Sequence, residues 1–193
     1  MMNKQYDDRG GVDSNTVGVY RTAATVKGGR RFSFSAMVVC GDRQGRVGLG
    51  YGKANQVPNA IEKAQKKAKR EMRVFPLTGT TIPHEVTGRF GACTVRLVPA
   101  SPGTGVIAGA AVRAVLDLVG VQDCLSKAYG STNNKNLTKA VIDGLRQLRS
   151  RETVQNLRKV DIEKTHTEQS HETAPSVVVE EIVTEETSEV AAK

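Results

Sequence analysis

Hydrophobic and polar residues alternate with a period of two along the first third of the chain. This alternation predicts three antiparallel strands, over residues 17–26, 31–40 and 46–51. In the second stretch the apolar residues fall at every other position from Phe32 to Cys40, which predicts one buried face.

A glycine pair, Gly28-Gly29, separates the first two predicted strands, with Lys27 before it and Arg30 and Arg31 after it. Glycine reaches positive φ without steric cost, so the pair predicts a tight hairpin turn. Cations and accessible backbone amides at one edge suit a phosphate backbone better than a small metabolite.

A basic helix is predicted after the third strand, with Pro58 in its first turn, where the missing amide proton costs nothing. Its apolar face has a spacing of three and four residues: Ile61, Ala64, Ala68 and Met72. Six bases occupy the rest, against Glu62 and Glu71: Lys63, Lys66, Lys67, Lys69, Arg70 and Arg73. Like charges at this spacing repel unless a polyanion neutralises them, and a solvated face is the alternative.

The second half of the chain has a different order of elements: strand, strand, helix, strand, helix. The predicted ranges are 80–88, 92–98, 106–119, 121–129 and 137–149, with Gly120 closing the first helix. Each half has its own apolar residues, so we predict two small α/β domains, 16–76 and 77–150, and an α+β fold class.

Both ends of the chain lack hydrophobic periodicity. Residues 1–15 are predicted to be a flexible arm. Residues 151–193 are predicted to be a linker and a disordered tail, because the segment after Val160 is too polar to bury a core.

Charge is distributed unevenly along the chain. The net charge is +8, but residues 161–193 hold nine acids against two lysines. The strongly basic remainder points to a polyanionic partner. Nucleic acid is favoured over a membrane because no long apolar span is present, and a basic surface kept for solubility is the alternative.

No arrangement of residues predicts a metal site, a cofactor or a catalytic centre. Cys40, Cys93 and Cys124 form no CxxC pair and lie in apolar runs, as expected for reduced, buried thiols. Three aspartates are expected at capping or exposed positions, since none has a paired carboxylate nearby in sequence: Asp117, Asp123 and Asp143.

One glycine-rich loop, Pro-Ala-Ser-Pro-Gly-Thr-Gly at 99–105, precedes the predicted apolar helix. Loops of this kind can hold phosphate through backbone amides. The loop lacks the lysine and Ser/Thr of GxxxxGK[ST], however. Contact with RNA or protein is the first interpretation, close packing the second and nucleotide catalysis the third.

Four segments between Arg21 and Ser150 together resemble the bacterial small-subunit ribosomal protein five family. They are TVKGGR at 25–30, GRVGLGYGKA at 45–54, GTGVIAG at 103–109 and KAYGSTN at 127–133. The arm before Arg21 and the tail after Val160 depart from the family pattern.

The resemblance implies a domain like the double-stranded-RNA-binding fold, followed by a two-layer domain with a left-handed strand-helix-strand crossover. It also implies a non-catalytic, cytoplasmic component of the small ribosomal subunit that binds 16S rRNA. The expected partners are small-subunit proteins four and eight, and mRNA where it enters the subunit. The expected roles are subunit assembly, translational accuracy and lining the mRNA channel.

Particular residues are assigned to these contacts. The glycine hairpin, which in that family reaches into RNA near the spectinomycin site, and its flanking cations are expected to bind RNA: Arg21, Lys27, Gly28, Gly29, Arg30, Arg31 and Lys53. The helix cations are expected to add phosphate contacts: Lys63, Lys66, Lys67 and Arg70. The surface facing protein four is assigned to Gly103, Thr104, Gly105 and Arg113.

Two other classes of function remain as alternatives at this point. One is a phosphate-transferring enzyme built on the second domain, which nucleotide-dependent turnover would reveal. The other is a free-standing regulator of double-stranded RNA, most of which would be found off the ribosome.

Overall fold

A computed structural model describes residues 11–159, and its first half is a four-stranded antiparallel sheet with one helix. The strands lie in the order β1-β2-β3-β4. Their bounds are β1 Asp13–Val26, β2 Gly29–Gly41, β3 Arg46–Ala54 and β4 Arg73–Val74, with α1 Val57–Arg70 between β3 and β4. Proline stands in the first turn of α1, as predicted.

The second half is another four-stranded sheet, in the order β5-β6-β8-β7. Its elements are β5 Val86–Phe90, β6 Cys93–Pro99, β7 Val106–Ile107, α2 Ala110–Val119, β8 Cys124–Gly130, α3 Asn134–Gln147 and α4 Arg151–Arg158. Because β7 is parallel to β8, the segment β7-α2-β8 is a strand-helix-strand crossover. The left-handed sense of this crossover stays a prediction.

Several boundaries differ from the sequence prediction. Residues 13–15, assigned to the arm, belong to β1 because Asp13 pairs with Gly41 and its carboxylate lies 2.7 Å from the Arg43 guanidinium. Residues 106–107 form a short strand rather than the start of a helix, and residues 151–158 of the expected linker form α4. Most of the predicted arm and the acidic tail lie outside the described residues.

The predicted single buried face of β2 is wrong, because β2 is buried on both faces from Ala36 to Gly41. Ala36, Val38 and Cys40 pack against the alanines of α1. On the other face Met37 and Val39 join a larger core that includes residues of β5, β6, α2 and α3. The first half therefore keeps a small core of its own, and the larger core is shared between the two halves.

Backbone hydrogen bonds also join the two halves. The turn between β2 and β3 donates from Arg43 N–H to the Leu118 carbonyl (3.0 Å) and from Gly45 N–H to the Val119 carbonyl (2.8 Å). These carbonyls belong to the last turn of α2, where no helical partner is available. The turn thus satisfies the end of a helix in the other half.

Candidate nucleic-acid interface

The outer part of the β1–β2 hairpin extends beyond the rest of the sheet. β3 pairs with β2 only from Phe34 onward, so the strands nearer the turn pair with each other alone. Every residue from Arg21 to Phe32 is exposed. No described part of the chain covers this segment, which leaves its backbone and side chains accessible to a partner.

The turn has a different backbone from the predicted one. Val26 pairs with Gly29, so the two turn residues are Lys27 and Gly28. Of residues 26–29, Gly29 alone has positive φ (142°), and it is already the first residue of β2. A Cβ atom on Gly28 would meet no atom within 4 Å. The absence of a side chain at Gly28 is therefore not required by the fold of this chain.

Cations occupy both faces of the hairpin. The Arg21 guanidinium lies 3.7 Å from the centroid of the Phe32 ring, which holds it against the strand. Arg30 and Arg31 are neighbours in β2 and so project to opposite faces. Within the described residues, Arg21, Lys27, Arg30 and Arg31 form no ion pair. Their charge is available for phosphate oxygens.

A second cluster of predicted cations lies where α1 begins. Lys53, Lys63 and Lys66 line a groove of about 570 Å³. Two polar side chains also line it, Asn55 of the β3–α1 connection and Asn59 of the first turn of α1. Lys66 Nζ is 2.6 Å from the Glu62 carboxylate, and this hydrogen bond and charge lower the pKa of Glu62. The pair is exposed and so contributes little stability, which leaves Lys66 able to exchange its partner.

The other two predicted helix cations, Lys67 and Arg70, do not join this cluster. They line a separate groove of about 910 Å³ between the first sheet and α3. The sequence analysis assigned all four cations to phosphate contacts, and the structure divides them between two grooves. The residues across that second groove, Lys135 and Lys139 of α3, were not predicted because they are distant in sequence.

Three of the residues assigned to a protein interface share one loop, 101–105, which is exposed except at the half-buried Gly105. The fourth, Arg113, lies on α2. The Gly105 amide donates to the carboxylate of the buried Asp123 (2.9 Å), which also accepts from Thr80 Oγ1 (2.8 Å). The Arg113 guanidinium donates to the Val106 carbonyl (2.9 Å). The expectation that Asp123 is exposed or caps a helix is therefore wrong. Its carboxylate accepts the hydrogen bond of the Gly105 amide, which a phosphate-binding loop would need to donate to phosphate.

The three cysteines are buried, as expected. Burial raises the pKa of the Cys124 thiol to about 11, because a low-dielectric surrounding disfavours the thiolate. Within residues 11–159 no cluster of His, Cys, Asp and Glu side chains could hold a metal ion. No helix in the same range is long and apolar enough to cross a membrane.

Comparison with known proteins identifies the family. The family model for the N-terminal domain of ribosomal protein S5 matches residues 12–76, and the model for its C-terminal domain matches residues 88–158. The chain belongs to the ribosomal protein S5 family. This confirms the family and the two-domain α+β fold class that the sequence motifs predict.

Relatives within the S5 family are closely similar. "Small ribosomal subunit protein uS5" of Syntrophobacter fumaroxidans is 58% identical over 142 residues, 74% of this chain and 86% of the relative. The proteins of the same name from Rhodopirellula baltica and Thermus thermophilus are 51% and 55% identical, over 81% and 73% of this chain and 88% and 87% of theirs. The chain is therefore a structural constituent of the small ribosomal subunit and not an enzyme, so phosphate transfer is excluded as its function.

Proposed function

We propose that this S5-family protein binds 16S rRNA through the exposed β1–β2 hairpin and the lysine groove at the start of α1. The observation that carries the proposal is the hairpin itself. It projects beyond β3, is exposed on both faces and has four cations without ion pairs among the described residues. A segment of this kind packs against no other part of residues 11–159, and phosphate contacts would fix its position.

The proposal assigns direct RNA contact to the hairpin and the groove. The hairpin residues are Arg21, Lys27, Gly28, Gly29, Arg30 and Arg31, and the groove residues are Lys53, Lys63 and Lys66. It assigns the loop of Gly103, Thr104 and Gly105, with Arg113, to contact with small-subunit protein four. Contact with protein eight, support of subunit assembly and accuracy, and a place beside the channel through which mRNA enters complete the proposed role.

Sedimentation of cell lysate on sucrose gradients at low and high magnesium tests the role in the subunit. We expect the protein to migrate with the small subunit after ribosomes dissociate, as followed by immunoblot. Recovery at the top of the gradient would contradict the proposal and favour a free-standing RNA regulator.

Charge variants of the hairpin test the assigned surface. Arg30→Gln with Arg31→Gln should reduce incorporation into the small subunit, because two exposed phosphate contacts are lost. The matched control is Lys127→Gln with Arg158→Gln, which also removes two exposed cations but from β8 and α4. Equal incorporation of both double variants would contradict the assignment to the hairpin.

A further inference from the structure

The groove between the first sheet and α3, called here the inter-sheet groove, is unexplained by the proposed hairpin contacts. Its lining residues come from β3, from residues 67–75, from the end of β5 and from α3, with Met37 of β2. Six cations line it: Lys67, Arg70, Arg73, Lys135, Lys139 and Arg146. Among residues 11–159 only two acids line the groove, Glu71 and Asp143.

Both acids already have partners. The Glu71 carboxylate lies 3.8 Å from Lys67 Nζ, and Asp143 accepts hydrogen bonds from the Arg89 amide (3.1 Å) and the Gln147 side chain (3.2 Å). The other five cations form no ion pair with described residues. A concave surface with this excess of positive charge focuses an attractive potential on an anionic ligand.

Aromatic rings accompany the cations on both walls. Lys139 Nζ lies 4.6 Å from the centroid of Phe90, and Lys135 Nζ lies 4.9 Å from that of Tyr51. Phe90 is 41% exposed and Tyr51 is 39% exposed, so neither ring is consumed by the core. Exposed rings beside cations are the combination that binds single-stranded nucleic acid, because bases stack on the rings while the cations contact phosphates.

We propose that the inter-sheet groove binds a single-stranded RNA segment, with bases on Phe90 and Tyr51 and phosphates on the surrounding cations. The inference rests on the proposed RNA-binding function and adds a second site to it. A duplex fits less well, since its bases are stacked inside and out of reach of the rings. The acidic segment 161–193 of this chain contains no aromatic residue and would leave the rings unused. RNA bound here would touch β3 and α3 together and hold the two halves in one arrangement.

Binding of a fluorescein-labelled 12-nucleotide oligouridine to the full chain, measured by fluorescence anisotropy over a series of salt concentrations, tests the site. In Lys139→Gln with Arg146→Gln the slope of log affinity against log salt should become shallower by about 1.4, at about 0.7 for each lost phosphate contact. Phe90→Leu keeps an apolar side chain and removes the ring, and it should weaken binding by about fivefold or more. Thermal melting of each variant shows whether it is folded.

The control is Lys127→Gln with Arg158→Gln, and a 12-base-pair RNA duplex is the competing ligand. Groove variants that bind oligouridine like the control, or that lose only duplex binding, would overturn the inference. Ultraviolet crosslinks from uridine to Tyr51 or Phe90 support it, and crosslinks confined to the hairpin contradict it. Residues 160–193 can also be deleted, both from the original chain and from the groove variants. If the deletion strengthens oligouridine binding only where the groove cations are intact, the acidic segment and not RNA is the ligand of the groove. Co-sedimentation with the small subunit is measured separately, so failure of the groove is distinguishable from failure of the proposed function.

Discussion

Gly28 and Gly29 are adjacent in the hairpin turn but differ in what a side chain would cost. Gly28 has open space where a Cβ atom would lie, whereas Gly29 has φ of 142°, which L side chains rarely adopt. We expect Gly28→Val to leave the melting temperature of the isolated protein almost unchanged and to impair subunit assembly or alter the spectinomycin response. Gly29→Val should lower the melting temperature as well. Unchanged assembly and drug response in Gly28→Val would contradict the role of the turn in RNA contact.

Cys124 has a raised pKa of about 11 because its thiol is buried. At pH 8 the native protein should therefore react with a thiol reagent such as dithionitrobenzoate far more slowly than the chain in urea, since the thiolate is the nucleophile.

The same shift predicts that this thiol contributes less stability as the pH rises above about 9, where the unfolded chain releases the proton and the native chain does not. Rapid labelling of Cys124 in native protein, located by mass spectrometry, would contradict its burial.

At the scale of elements, the close packing of α1 on β3 depends on a row of glycines, Gly48, Gly50 and Gly52. A Cβ atom at Gly50 would overlap the carbonyl oxygen of Ala64, and both neighbouring glycines face α1 in the same way. Gly50→Ala should therefore destabilise the protein by about 1–3 kcal/mol or more, because the helix must move away from the sheet. Chemical denaturation measures this loss. Gly28→Ala is the control, and an equal midpoint for the two variants would show that α1 does not lie this close to β3.

The separation of Lys63 and Lys66 from Lys67 and Arg70 also belongs to the scale of elements. The charge pattern along 63–73 predicted a cationic helix, and the structure has one. The three-dimensional placement of α1 against the first sheet decides that its cations line two grooves, because α1 packs on one face of β2 and the core shared with α3 lies on the other. The side chains of a helix project in several directions, and the sequence does not predict which element packs against each of its faces.

At the scale of the whole molecule, the shared core predicts that the two halves unfold together. Met37 of β2 is 1% exposed, and its Sδ accepts a hydrogen bond from Thr138 Oγ1 of α3 (3.5 Å). Met37→Ala should cost about 2–5 kcal/mol and lower the hydrogen-exchange protection of α3 by the same free energy. Val74→Ala is the control, because Val74 is 71% exposed. Unchanged protection of α3 in Met37→Ala would show that the halves unfold independently.

Most of the local elements and the family could be predicted from the amino-acid sequence, although residues 106–107 and 151–158 were assigned wrongly. The existence of strand β2, the start of α1 at a proline and the family motifs between Arg21 and Ser150 each depend on neighbours a few positions away, and each was predicted correctly. The single buried face of β2 was not. The tertiary structure alone decided that the second face of β2 packs on α2 and α3, that Asp123 accepts the Gly105 amide, and that Lys139 faces Phe90. These contacts join residues far apart in the chain, and periodicity records only that a residue is apolar or polar, not which distant surface will meet it.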